Sequence, residues 1–142
     1  MSIALAPNHL EVRSFPVADT PHLLALLPAE GGLAWVQGTP NNQQGLVAWG
    51  EVARCAMTGP ERFSRAQRWW HEFCDSCVGD DPIAFASFAF SSTPGDSVVV
   101  VPQVVVRRTG GITTATVVGE PGSIQNIIDG LAQQLDGDSG PL

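Results

Sequence analysis

The densest group of chemically capable side chains is 71-HEFCDSC-77. Imidazole nitrogen and thiolate sulfur are ligands that zinc favours, and Cys55 upstream offers a fourth. On a helix, His71, Cys74 and Cys77 project within an arc of roughly 120°. Structural zinc sites, however, pair their ligands across a turn or knuckle, and the second ligand pair is missing. The competing reading is two buried thiols on an apolar helical stripe with His71 near its edge, and no residue is assigned to a metal. A redox dithiol at Cys-Asp-Ser-Cys fares worse. Such a motif opens a helix after a strand, where the dipole acidifies the thiol, and this one closes a helix.

Nucleophilic catalysis requires a serine or cysteine beside an oriented histidine. No Gly-x-Ser-x-Gly occurs, His9 and His22 fall in surface-like segments, and Ser91 and Ser92 sit in a turn whose composition explains them. Gly110 and Gly111 make a hairpin turn rather than a phosphate cradle. The seven basic residues are Arg13, Arg54, Arg62, Arg65, Arg68, Arg107 and Arg108, so the chain has no lysine and no P-loop lysine is available. No catalytic and no cofactor-binding residue is assigned.

The elements that would have to position any site follow from composition and pattern. The chain has 142 residues, enough for one domain with its own core. It is 44% hydrophobic and 15% charged, which is globular rather than disordered. Net charge is −7 with scattered arginines, which argues against nucleic acid, since phosphate binding needs a basic stripe. The apolar runs are too short to span a bilayer, and the N-terminus lacks the pattern of a secretory signal. No membrane partner and a cytoplasmic location are therefore the default expectations. Three cysteines without an export signal favour free thiols.

The spacing predicts an α+β domain over residues 1–135, an antiparallel sheet with two packed helices, and a linker-like tail over 136–142. A short strand is expected at 10–15, one or two helical turns at 22–27, and strands at 33–38 and 46–51 joined by the long loop 39-TPNNQQG-45. The clearest helix is 60–78, with Thr58 or Gly59 as cap, Pro60 at its first position, and an apolar stripe of Phe63, Ala66, Trp70, Phe73, Cys74 and Cys77. Of the adjacent tryptophans, Trp70 belongs to that stripe and Trp69 is a partly exposed aromatic suited to an interdomain contact. Residues 83–90 read as a strand central to a packed sheet, followed by strands at 97–101 and 103–108 split by Pro102. Residues 112–118 read as a half-exposed edge strand. A helix over 123–135 is capped by Ser123 and weakened by Gly130 by roughly 1 kcal/mol.

In order and spacing, 45-GLVAWGEVARCAMTGPERFSRAQRWWHEF-73, 83-IAFASFAFSS-92 and 97-SVVVVPQVVVRR-108 resemble the N-terminal part of bacterial isochorismate synthases, members of the chorismate-binding enzyme family. The resemblance implies the N-terminal half of the chorismate-utilising fold and a parent chemistry. That chemistry is Mg2+-dependent conversion of chorismate to isochorismate, in menaquinone or siderophore synthesis. In the family a lysine activates water, a glutamate protonates the leaving hydroxyl, and further glutamates hold the metal, all in the C-terminal portion. None of these roles passes to this chain: it has no lysine, and Glu51, after Trp49-Gly50, and Glu120, beside Pro121, are isolated acids. The resemblance thus implies a structural lobe that stops at Leu142, inactive alone, with Mg2+ belonging to the complete enzyme. Its expected partners are the missing C-terminal catalytic part or a second copy. The alternative is a stand-alone binding or oligomerisation module derived from the same fold. The two differ at 85–90, sticky and poorly covered in a lobe, closed by the chain's own helices in a module.

Overall fold

A computed structural model describes residues 9–87 and 97–139, with side chains described as far as Leu135. The strands are β1 (Leu10–Val17), β2 (Gly32–Thr39), β3 (Asn42–Trp49), β4 (Ala53–Met57), β5 (Cys77–Gly79), β6 (Phe85–Ser87), β7 (Ser97–Val101), β8 (Val104–Thr109) and β9 (Ile112–Gly119). The helices are α1 (Arg62–Ser76) and α2 (Ile124–Ser139), with one 3-10 turn at Leu23–Leu26. Six strands form one sheet in the order β2-β3-β8-β9-β1-β5, and three form a second in the order β4-β7-β6. The architecture is α+β, but with two sheets in place of the single expected one. The larger is mixed, because β5 runs parallel to β1.

Register explains how one face of the large sheet became core. Val47, Val106, Ala115 and Phe15 lie opposite one another across β3, β8, β9 and β1. Trp49, Val104 and Val117 form the next row. Strand side chains alternate between faces, so these residues share one face. It is covered by Ile124, Leu131 and Leu135 of α2 and by Leu23 and Leu26 of the 3-10 turn, all buried in one cluster. Ile124 is wholly buried. The apolar period of three and four along α2 is therefore a packing stripe.

The two sheets share one ribbon. Strands β3 and β8 pair as far as Trp49 and Val104, and β4 and β7 resume at Ala53 and Val101. Between them Pro102, wholly buried, has no N–H for the ladder, and Gly50 takes φ +75. A Cβ on Gly50 would stand 2.8 Å from the Cβ of Gln103. The ribbon turns there from one sheet into the other, held by Gln103 N–H donating to Trp49 O (3.2 Å) and Val52 N–H donating to Val101 O (2.9 Å).

Several expectations change. Helix α1 starts at Arg62 and is flanked by Glu61 without a side-chain cap, so neither Thr58 nor Gly59 caps it. It ends at Ser76, and Cys77 leaves it to begin β5, so Cys77 is not on the helical stripe. Phe63 is exposed, and Arg62 takes the buried place instead, its guanidinium 4.6 Å from the Phe63 ring. Both tryptophans are half-buried: Trp69 and Trp70 each stack on Phe73, at 5.6 and 5.9 Å between ring centroids. The loop expected over 39–45 is a tight turn, since Thr39 already faces Asn42 and the glutamines belong to β3. Strand β9 is interior, between β8 and β1, and Thr113 and Thr116 are buried there. Strand β6 lies at an edge of the small sheet rather than at its centre. The rest of the expected strand over 83–90, with Ser91 and Ser92, lies outside the described residues. Ser123 donates from its hydroxyl to Glu120 O (3.5 Å) rather than accepting from the helix, and α2 runs past Leu135 to Ser139. Among the described residues no helix is long and apolar enough to cross a membrane.

Candidate functional site

The best-organised polar group had no motif to announce it. Arg108, on the core face of β8, is buried in spite of its charge. Its Nε and Nη2 donate to the two carboxylate oxygens of Asp19 at 2.7 and 3.1 Å. Its Nη1 donates to Asn42 Oδ1 (2.7 Å) and Gln43 O (2.9 Å). Thr113 Oγ1 donates to Asp19 Oδ1 at 3.0 Å. The guanidinium hydrogen bonds, with the Thr113 hydroxyl beside them, hold the Asp19 carboxyl below its ordinary pKa, against the opposing effect of burial. This network ties the chain after β1, the β2–β3 turn, β8 and β9 together. Its donors are spent on protein acceptors, so it is a clamp rather than a reactive centre.

The residues singled out in sequence do not assemble. Cys77 packs with Val12, Val101 and Val118, whereas Cys55 packs with Met57, Ala66 and Val99 in a different cluster. His71 is exposed. All three cysteines are free thiols. Burial raises the Cys74 thiol, helped by Asp75 and Asp81, and burial raises Cys77 as well, with Cys74 adding to it. Raised thiols are poor nucleophiles and poor metal ligands at neutral pH. His9 and His22 each place Nδ1 3.1 Å from a carbonyl, of Ser76 and of Pro40, so that nitrogen carries the proton and donates. Glu51 pairs with Arg54 at 3.0 Å in the open, and Glu120 serves through its backbone carbonyl, which accepts from the N–H groups of Ser123 and Ile124.

What remains is the second face of the six-stranded sheet, turned away from α2. Register places Trp35, Leu46, Arg107, Thr114 and Pro16 in one row across β2, β3, β8, β9 and β1. Leu33, Ala48, Val105, Thr116 and Ser14 form the next. This face is covered at Val12 and Val118, where α1 packs through Trp69, Trp70 and Phe73, and Ala48, Val105 and Thr116 of the second row are buried as well. Elsewhere Trp35 is 74% exposed, Ile112 68% and Leu33 37%. A cleft of about 350 Å³ opens where Leu33 and Ala48 meet Val100 of the small sheet, with Glu51 and Arg54 at its rim. A more polar hollow of about 370 Å³ is lined by Ser14, Thr116, Arg107, Asp80 and Asp81. Asp80 there accepts from Ser14 N–H at 2.7 Å, and the Ser14 and Thr116 hydroxyls bond at 2.9 Å. Chemically, this is a broad apolar platform with one cation, Arg107, near its middle. It suits a packed protein surface better than a small reacting molecule.

No family model, curated protein or solved structure matches this chain.

Proposed function

We propose that this chain is the N-terminal structural lobe of a chorismate-binding enzyme of the isochorismate synthase type, and that the catalytic part packs on the open face of the six-stranded sheet. The observation that carries the reading is the registered face on which Trp35, Leu33 and Ile112 stand exposed beside Leu46. A monomer seldom leaves so many large side chains uncovered on one side of a sheet, and such a patch marks a contact surface. Of the stretches that resemble the family, 45–49 and 104–108 lie on β3 and β8, two of the strands that build this face.

In this reading the lobe contributes shape and burial, and the chemistry belongs to its partner. Mg2+ would act in the complete enzyme by binding the substrate carboxylate. Of the acids described above, Asp19 is held by Arg108, Glu51 pairs with Arg54, and Asp80 accepts from Ser14 N–H.

A self-sufficient binding module is the second reading, favoured by the way α1 and α2 already close clusters of their own. At the discriminating segment Phe85 is half-buried and Ala86 and Ser87 are exposed, while 88–90 lie outside the described residues. The deciding experiment is conversion of chorismate with Mg2+, on this chain alone and mixed with a separately expressed C-terminal part of an isochorismate synthase. Turnover that this chain adds to the mixture supports the lobe. A stable complex-free chain that adds nothing supports the module. Turnover by the chain alone would refute the argument from the missing lysine.

A further inference from the structure

Strand β2 ends the large sheet, and no described strand lies beyond it. Alternate residues of an edge strand turn their N–H and C=O groups outward, and soluble proteins guard such edges with charges, prolines or very short strands. Strand β2 has none of these guards: it is eight residues long, GLAWVQGT, without charge or proline. The whole stretch 31–50, which holds the β2–β3 hairpin, lacks any Asp, Glu, Lys, Arg or His. Elsewhere the chain is strongly acidic, at −7 overall, so two copies repel across most of their surfaces. The hairpin is the strip where they do not.

We infer that β2 pairs antiparallel with β2 of a second copy, joining two six-stranded sheets edge to edge. A strand is self-complementary in this sense, since a twofold axis perpendicular to the sheet matches each outward N–H with a C=O. That axis keeps residues of like parity opposite one another, so Trp35 meets Trp35 or Gln37 of the other copy. Both lie within cross-strand reach, and an aromatic pair there adds to the ladder. The same axis puts both open faces on one side, leaving them free for another partner, so the inference stands independently of the enzyme-lobe reading. A single strand pair buries less than about 1,200 Å², the size of weak complexes, which places half-association at about 10–100 µM.

Sedimentation velocity on this chain alone, from about 5 to about 500 µM, brackets that range. The wild type should pass from monomer to dimer. Trp35→Lys and Trp35→Glu, at a side chain already 74% exposed, should each stay folded and monomeric. Their equimolar mixture should dimerise again, because lysine and glutamate then lie opposite or diagonal to each other across the axis, within reach in either register. Ile112→Glu, on the open face away from the edge, should leave the dimer intact. Amide exchange of alternate β2 residues should slow as concentration rises. A wild type that stays monomeric throughout would overturn the inference. So would a dimer that survives both Trp35 variants, a mixture that fails to re-associate, or a dimer lost only in Ile112→Glu.

Discussion

Replacing Gly50 by alanine tests whether the bend in the shared ribbon holds the two sheets together. At φ +75 an alanine is strained by about 1–2 kcal/mol. Its Cβ would also lie 2.8 Å from Gln103 Cβ, about 0.6 Å short of ordinary contact. Relieving that overlap means shifting the ribbon, which costs about 1–3 kcal/mol in a packed region. The lower entropy of the unfolded alanine chain returns about 0.4–1 kcal/mol. The net destabilisation is about 1–4.5 kcal/mol. Urea unfolding followed by tryptophan fluorescence reads it, with Trp49 beside the bend. With a slope of about 2 kcal/mol/M, the midpoint should fall by about 0.5–2 M while the slope stays constant. Gly122→Ala is the control, because nothing lies within 4 Å of a Cβ there, and its midpoint should hardly move. If Gly50→Ala unfolds within about 0.25 M of wild type, the positive φ and the close approach of Gln103 are not what shapes the bend.

Three further outcomes follow from the packing and the charges. Ile124→Ala, at a wholly buried side chain on α2, should cost about 2–5 kcal/mol in the same assay, and a loss under 1 kcal/mol would contradict α2 as cover for the sheet. The Asp19 carboxyl has a depressed folded pKa, so its contribution is complete above the unfolded value near about 3.9 and disappears as pH falls through the lower folded value. Asp19→Asn should therefore melt below wild type at pH 7, with the gap closing in acid; a gap that widens toward pH 2 would reverse the assigned sign. Cys74 and Cys77, raised by burial, should react with an aromatic disulfide reagent at pH 7 at least about tenfold more slowly than in the urea-unfolded chain, and equal rates would contradict their shielding.

The parts of this fold that were legible in sequence are those governed by local period. Helix α1 announces itself by its three- and four-residue apolar steps, and the Gly110-Gly111 turn by residues that take positive φ, here +61 and +82. Pro102 marks a break in the strand that the structure places at the bend between sheets. What was not legible depends on contacts distant in sequence. The short parallel pairing of Cys77–Gly79 with β1 cannot be read from three residues. The Thr-apolar alternation of β9 suggests a wet edge, because sequence does not show that Thr113 will meet Asp19 or that Thr116 will meet Ser14. Strand β4 was hidden for a similar reason: 53-ARCAM-57 has small and charged residues whose sheet character comes from β7. Arg108 had one usable clue, its parity with Val104 and Val106, which already turned it toward the core. The open face carried none, since exposed Trp35 and half-buried Trp49 look alike until the register is known.

The claim at the centre of this account is that the open face of the large sheet is the seat of a catalytic partner. Hydroxyl-radical footprinting reads it side chain by side chain. In the chain alone, Trp35 and Ile112 should oxidise readily at their exposures of 74% and 68%. On adding the C-terminal part of an isochorismate synthase, the account predicts protection of Ile112, Leu33 and Leu46 together, with Phe63 on α1 unchanged. Undiminished oxidation of the sheet face, or protection confined to α1, would contradict it.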